Sequence, residues 1–247
     1  MRLYMREKTL GMGRWAAMLP LLLMMPALAR AAGDDAIVEA GTPAATAFAR
    51  YLGRMGESRP WDVETVEIDA SLPKLKKAGR LRVLRRLLPV GAPQYQVLES
   101  DGDETVRQRV IYRYLTAEAQ AAGLPAEAVA ITPANYKFRY KGTVKSGEGL
   151  AYIFQITPHK NRQGLIKGEL WLDGESGAVL RQSGRLVKSP SMFLKRVEFT
   201  REIDLHEGAA QSRVTHVTIT ARLVGTAELT IRERPYDSLA TGPVAAE

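Results

Sequence analysis

Residue types that do chemistry are sparse in this 247-residue chain. Its three histidines are His159, His206 and His216, and it has no cysteine. No histidine has the spacing of a metal-binding pair such as H-E-x-x-H. Without cysteine, disulfides, thiolate catalysis and cysteine-based zinc sites are excluded. The sequence therefore predicts no metal site and no cofactor.

The carboxylates cluster in two turn-like stretches, "SDGDET" with Asp101 and Asp103, and "LDGESG" with Asp173 and Glu175. Asp-Gly pairs supply the backbone conformations that hairpin turns need. A calcium loop requires a longer ligand series that closes with a glutamate, which neither stretch has. The chain also contains no G-x-S-x-G elbow and no phosphate-binding glycine loop. We therefore predict that the protein is not an enzyme.

The N-terminal segment is typical of a secretory signal peptide. It has a basic start, an apolar run over residues 15–28 and then small residues in an A-x-A arrangement. The apolar run is short and contains two prolines, although an uncleaved N-terminal anchor remains the alternative. We predict a signal peptide over residues 1–31 and a single domain over residues 32–247. Cleavage after Ala29 is the second possibility.

These features predict export to the periplasm. A lipid anchor would require a cysteine at the end of the signal, so the mature protein is expected not to be lipidated itself. Much of the net charge of +8 belongs to the signal segment, which removes the basis for a nucleic-acid partner. We predict no nucleic-acid binding.

One amphipathic helix is predicted near the start of the mature chain, in "TPAATAFARYLGRMGE". Thr42 can cap it, and Pro43 fits the first helical position because its missing N–H has no helical partner there. Apolar residues then recur at spacings of three and four, at Phe48, Tyr51, Leu52 and Met55. Such a helix is expected to cover one face of a sheet.

From Trp61 the hydrophobic period changes to two, which predicts strands. A slip in the alternation near Glu64 is interpreted as a β-bulge. "ETVRQRVIYRYL" is predicted to be a strand, and "TAEAQAAGLPAEAVAI" a second helix capped by Thr116. Further strands are predicted in "NYKFRYKGTV", "GLAYIFQIT", "GLIKGELWLD", "AVLRQSGRLVK", "FLKRVEFTREIDL", "SRVTHVTITARLV" and "AELTIRER".

This pattern predicts a mainly β (α+β) fold, a curled antiparallel sheet (half-barrel) of about ten or eleven strands wrapped around one or two helices. Alternation gives the sheet one apolar and one polar face. The apolar face is larger than two short helices can cover. It either forms a pocket for an acyl chain, at about 0.8 kcal/mol per buried methylene, or is filled by side chains. Alternation alone proposes the pocket residues Tyr152, Phe154, Ile156, Val197 and Phe199.

A basic tract, "LPKLKKAGRLRVLRRLLPVG", interleaves cations with leucines. Gly79 and the flanking prolines favour a turn followed by a strand over a helix. The charges are either ordinary solvated side chains or a surface that attracts an anionic membrane. The residues concerned are Lys74, Lys76, Lys77, Arg80, Arg82, Arg85 and Arg86.

The stretch from Tyr136 to Leu186, with "ITPHK", "ELWLDGESG" and "AVLRQSGRL", resembles the lipoprotein-localisation carriers of the LolA and LolB type. The mycobacterial LppX and LprG type carriers share the same half-barrel. The resemblance implies a non-enzymatic periplasmic carrier for a lipid acyl chain or a lipidated protein, with membrane partner proteins. It carries over no individual binding residue. The alternative is an envelope structural or protein-interaction protein whose sheet is fully packed.

Overall fold

The computed structural model describes residues 38–55, 61–88, 92–147, 149–189, 194–221 and 225–237. All of these residues lie in one compact unit, Ala36–Glu247. The signal peptide predicted over residues 1–31 lies outside the described residues and stays a prediction.

Antiparallel pairing builds one ten-stranded sheet from the described residues, mostly between strands that are neighbours in sequence. The strands are β1 Val63–Leu72, β2 Lys77–Arg86, β3 Gln94–Gly102, β4 Tyr136–Ser146, β5 Gly149–Pro158, β6 Ile166–Asp173, β7 Val179–Leu186, β8 Leu194–His206, β9 Ala209–Ala221 and β10 Gly225–Pro235. Their order is β3-β2-β1-β10-β9-β8-β7-β6-β5-β4, so the first and last strands pair and β3 and β4 form open edges. The predicted fold class is confirmed.

Helix α1, Pro43–Gly53, begins as predicted. The Thr42 hydroxyl accepts a hydrogen bond from the Ala45 amide at 3.3 Å, which satisfies one of the free N–H groups at the helix start. Its buried side chains are Ala44, Ala47, Phe48 and Tyr51. Met55, which the sequence pattern assigns to the same stripe, is exposed.

The second helical region begins twelve residues earlier than the predicted cap at Thr116. Helix α2, Glu104–Val106, continues through a π-helical segment, Arg107–Ile111, into α3, Tyr112–Ala122. The strand predicted in "ETVRQRVIYRYL" is therefore wrong.

Local chemistry explains this difference. The Asp103 carboxylate caps the helix by accepting from the Val106 amide at 3.1 Å. Thr116 lies inside the helix, where its hydroxyl donates to the Tyr112 carbonyl at 2.8 Å. The buried residues Val106, Val110, Ile111 and Leu115 recur with a helical period. The β-branched side chains among them have a propensity for strands, but the burial of this stripe of residues overrides that propensity and favours a helix.

Two hydrophobic clusters lie on one side of the sheet, which we call the inner face because the helices pack against it. Helix α1 covers the cluster on β4, β5 and β6. The α2–α3 region covers the cluster on β1, β2 and β10. The connection from β3 to β4 passes through α2, α3 and the short α4, Ala126–Val129, so it joins the two edges of the sheet.

The β-bulge predicted near Glu64 is wrong. β1 pairs with β2 and with β10 in unbroken register. Glu64 lies in phase with Val66 and Ile68 on the inner face, and it is fully buried. The apparent slip in the alternation is a charged residue at a core position.

Candidate functional site

The five predicted pocket residues all contact the hydrophobic clusters of the inner face, but they fall into two groups. Tyr152, Phe154 and Ile156 belong to the cluster beneath α1. Val197 and Phe199, on β8, are half-buried. The structure therefore separates a closed group on β5 from a partly open group on β8.

The β5 group is packed core. Phe154 and Ile156 are 0% exposed, and Tyr152 is 7% exposed. The ring of Phe154 lies 5.1 Å from that of Phe48 of α1, centroid to centroid. Helix α1 is anchored at this place because the Tyr51 hydroxyl donates to the Ile131 carbonyl at 2.8 Å. A ligand can reach these three side chains only if α1 moves away.

The β8 group lies between the two clusters. Val197 packs against the β1–β2–β10 cluster, and Phe199 packs against both clusters. Phe199 stands opposite Gly184 of β7, which in turn stands opposite Gly168 of β6. These glycines place no side chain beside the Phe199 ring.

Coverage of the inner face is weakest in this central region. Among the described residues, no side chain of β7 or β8 is buried. By contrast, β1 and β5 on either side carry several fully buried side chains. The middle of the sheet therefore keeps a partly accessible strip of apolar surface between the regions that the helices cover.

A buried charge cluster lies at one end of the inner face. We call it the Arg85 cluster, and it consists of Glu64, Arg85, Glu118, Arg213 and Glu233. The Arg85 guanidinium donates to the carboxylates of Glu64, Glu118 and Glu233. Arg213 donates to Glu64 at 2.9 Å and lies 3.4 Å from Glu233. Because Glu118 belongs to α3, this cluster ties the helix to strands β1, β2, β9 and β10.

Burial and charge perturb the acids of this cluster in opposite directions. Burial raises the pKa of Glu118, and the attraction of Arg85 offsets only part of that effect. Burial also acts to raise the pKa of Glu233, but the attraction of Arg213, Arg85 and Arg201 outweighs it, so the pKa is lowered. Burial and the neighbouring Glu118 raise the pKa of Tyr95, whose hydroxyl donates to Glu118 at 2.9 Å.

Sequence reasoning did not find this cluster, although a signal was present. Arg85 is in phase with Leu81 and Val83, and Glu233 is in phase with Leu229 and Ile231. A charge at a core position requires a buried partner of opposite sign. The arginines and carboxylates of the Arg85 cluster bond to one another. This arrangement favours a role in anchoring α3 over a role in chemistry on a substrate.

The basic tract is divided by strand alternation. Arg85 is 3% exposed, so its assignment to a membrane-facing surface is wrong: its side chain points to the inner face and is held by the three carboxylates. Lys74, Lys76, Arg80 and Arg86 are exposed. The remaining two form ion pairs, Lys77 with Asp103 at 2.9 Å and Arg82 with Glu99 at 3.8 Å.

The three histidines are exposed and lie in turns, at a strand end or on the outer face. His159 Nε2 lies 3.1 Å from the Pro133 carbonyl, and His216 Nδ1 lies 3.1 Å from the Thr230 hydroxyl. No group of three or more potential ligands is placed to hold a metal ion within the described ranges. None of the helices in the described part of the chain is both long and apolar enough to cross a membrane.

Comparisons with known proteins give structural likeness only. No protein-family model matches the chain, and no curated protein matches its sequence. A putative outer membrane lipoprotein-sorting protein domain from Vibrio parahaemolyticus is similar, at 10% identity over 78% of this chain and 92% of that one, with a TM-score of 0.35. A LolA superfamily protein from Nitrosomonas europaea matches at 11% identity over 78% and 94%, with a TM-score of 0.36.

A DUF1329 family protein from Desulfovibrio piger matches at 11% identity over 79% of this chain and 93% of that one, with a TM-score of 0.37. The predicted resemblance to lipoprotein-sorting proteins is thus found again among solved structures. With TM-scores below 0.5, the fold is assigned from the strand order of this chain and not from the likeness.

Proposed function

We propose that this protein is a non-enzymatic periplasmic carrier that binds the acyl chain of a lipid or of a lipidated protein on the inner face of its sheet. The observation that carries the proposal is the partly accessible apolar strip on β8, between the two helix-covered clusters. An acyl chain laid on such a strip gains about 0.8 kcal/mol for each methylene removed from water.

Within this proposal the two groups of pocket residues have different roles. Val197 and Phe199 contact the ligand directly, since they are half-buried and lie between the helices. Tyr152, Phe154 and Ile156 form the adjoining wall and become accessible only when α1 lifts from β5. The exposed cations of the basic tract that form no ion pair among the described residues, Lys74, Lys76 and Arg86, supply attraction to an anionic membrane surface during loading or delivery.

Binding of a fluorescent fatty acid tests the proposal. Phe199→Glu places a charge on the strip. A bound acyl chain would remove water from this unpaired carboxylate, and the cost of that desolvation opposes binding. We expect this variant to lose binding while it keeps the circular dichroism of the native protein. Thr230→Glu, which adds the same charge on the outer face of β10, is the matched control and should bind normally.

The second candidate is an envelope protein that binds another protein and no lipid. It is favoured by the complete burial of Phe154 and Ile156 under α1, which shows that much of the inner face is filled by the protein itself. Failure of the native protein to bind the fatty acid, together with the absence of co-purifying lipid by mass spectrometry, would favour this candidate and reject the carrier.

A further inference from the structure

The sheet has a cleft where β7 and β8 separate. Their pairing ends with Arg185 opposite Glu198. Beyond this pair, Leu186 stays bonded to β6, whereas Val197 and Arg196 stay bonded to β9. The two strands therefore part toward one end of the sheet and leave a space between them.

Two cavities, of about 460 and 650 Å³, occupy this region. Both are lined by Arg185, Arg196 and Glu198. The smaller one extends over the outer face to Lys167 and to the hydroxyls of Ser183, Thr200 and Thr218. The larger one reaches the apolar side chains of Leu186, Val187 and Val197. The smaller cavity is thus a basic, hydroxyl-rich compartment, and the larger one, which is also lined mainly by polar residues, has one apolar wall formed by Leu186, Val187 and Val197.

The charge of the basic compartment is not balanced. Glu198 is the only acidic residue among the described residues that line the two cavities, and it pairs with Arg196 at 2.7 Å. Lys167 and Arg185 face each other across β6 and β7. Within the described residues neither of them forms an ion pair.

Other arginines of the outer face are arranged differently. Arg80 and Arg232 bind the two oxygens of Asp69, each at 2.6 Å. Arg181 lies four residues before Arg185 on the same face of β7. It is 3.8 Å from Glu202 and stacks over the Trp171 ring at 5.1 Å. These three arginines are thus paired with acids, whereas Lys167 and Arg185 face the cleft without such a partner among the described residues.

We infer that this cleft binds a phosphate group, with an aliphatic part of the same ligand against Leu186, Val187 and Val197. The planar guanidinium of Arg185 can donate two parallel hydrogen bonds to phosphate oxygens. Lys167 adds a second charge, and the serine and threonine hydroxyls offer further donors. The site lies mainly on the outer face. Val197 and Phe199 of the proposed carrier strip also line the two cavities, so the two proposals are separated by variants of residues that lie outside that strip.

Titration with inorganic phosphate and glycerol phosphate, followed by amide chemical shifts, tests this site. We expect shifts at Lys167, Arg185 and Arg196. Arg185→Gln should weaken binding about tenfold, which corresponds to one lost hydrogen bond to a charged group. Arg181→Gln is the matched control on the same strand and face, and it should bind as the native protein does. Binding should also weaken as salt is raised.

Flotation with vesicles separates the two sources of phosphate. An anionic lipid headgroup is the ligand if the native protein floats with phosphatidylglycerol vesicles but not with phosphatidylcholine vesicles. Arg185→Gln should then fail to float with phosphatidylglycerol vesicles. Binding of soluble phosphates alone, again lost in Arg185→Gln, identifies a small phosphate compound. The inference is overturned if no probe binds, or if Arg181→Gln loses binding as much as Arg185→Gln. Arg185→Gln should retain fatty-acid binding even where phosphate binding is lost, because Arg185 lies on the outer face and outside the carrier strip.

Discussion

Replacement of Arg85 by methionine isolates the contribution of the buried charge cluster. Methionine has a similar length and fills the space of the arginine stem, so the change removes the charge and its hydrogen bonds with little loss of packing. The carboxylates of Glu118 and Glu233 then lose their bond to Arg85, and Glu64 keeps only Arg213, at 2.9 Å.

The expected cost is about 3–5 kcal/mol in the free energy of unfolding, because removal of one partner leaves buried charge uncompensated. That is a large share of the roughly 5–15 kcal/mol that stabilises a typical domain. Arg82→Met is the matched control on the same strand. Arg82 is partly exposed and lies 3.8 Å from Glu99, so its loss should cost less than about 1 kcal/mol.

Urea unfolding at pH 7 and at pH 5, followed by circular dichroism, measures the size of the change in the free energy of unfolding and the sign of its pH dependence. Without Arg85, Glu118 loses the cation that offsets part of the effect of its burial, so its pKa is expected to rise further. Because the folded variant then binds more protons than the folded native protein, the destabilisation caused by Arg85→Met should be smaller at pH 5 than at pH 7. Adding Glu118→Gln to Arg85→Met should recover part of the lost stability, because Glu118 forms its ion pair with Arg85, whereas Glu64 and Glu233 still have Arg213.

Two results would refute this reasoning. The first is a cost for Arg85→Met no larger than that for Arg82→Met. The second is a destabilisation by Arg85→Met that is larger at pH 5 than at pH 7. Either would show that the three carboxylates do not depend on Arg85 for their compensation.

Three further predictions concern stability and use urea unfolding as the measurement. Thr42→Ala should cost about 1 kcal/mol through loss of the α1 cap. Gly168→Ala should destabilise by more than about 1 kcal/mol, because its Cβ would lie 1.9 Å from the Ser183 carbonyl oxygen, whereas Gly53→Ala, with no atom within 4 Å, should be neutral or stabilising. The pKa of Glu233 is lowered in the folded protein. Its contribution to stability is therefore fully present above its ordinary pKa of 4.5 and is lost as the pH falls through the lowered pKa. The stability difference between the native protein and Glu233→Gln should therefore shrink from pH 7 to pH 3, and a difference independent of pH would contradict this.

Much of the fold follows from local sequence. The seven strands from β4 to β10 are predictable because each alternates and ends at a turn signal, as in "LDGESG". There Asp173 accepts hydrogen bonds from the Ser176 amide and hydroxyl at 2.7 and 2.6 Å. The α2–α3 region is not predicted because Val106, Val110 and Ile111 have strand propensity, and only their burial against β1 and β2 decides for a helix.

The site is less predictable than the fold. Alternation correctly places Phe154 and Phe199 on apolar positions, but it carries no information about where a helix docks. Phe154 lies under Phe48 at 5.1 Å between ring centroids, while Phe199 lies between the covered regions. Hydrophobic alternation does not predict the inward positions of Glu64 and Arg85, because a pair of opposite charges on adjacent strands also satisfies a core position.

Photocrosslinking with a photoreactive fatty acid tests the carrier proposal most directly. The protein is labelled at increasing probe concentration, with palmitate as competitor, and the modified peptides are located by mass spectrometry. The proposal predicts saturable labelling that palmitate displaces, centred on the inner-face residues Val197 and Phe199 of β8 and absent in Phe199→Glu. Labelling that does not saturate, or that maps to the outer face, would contradict it.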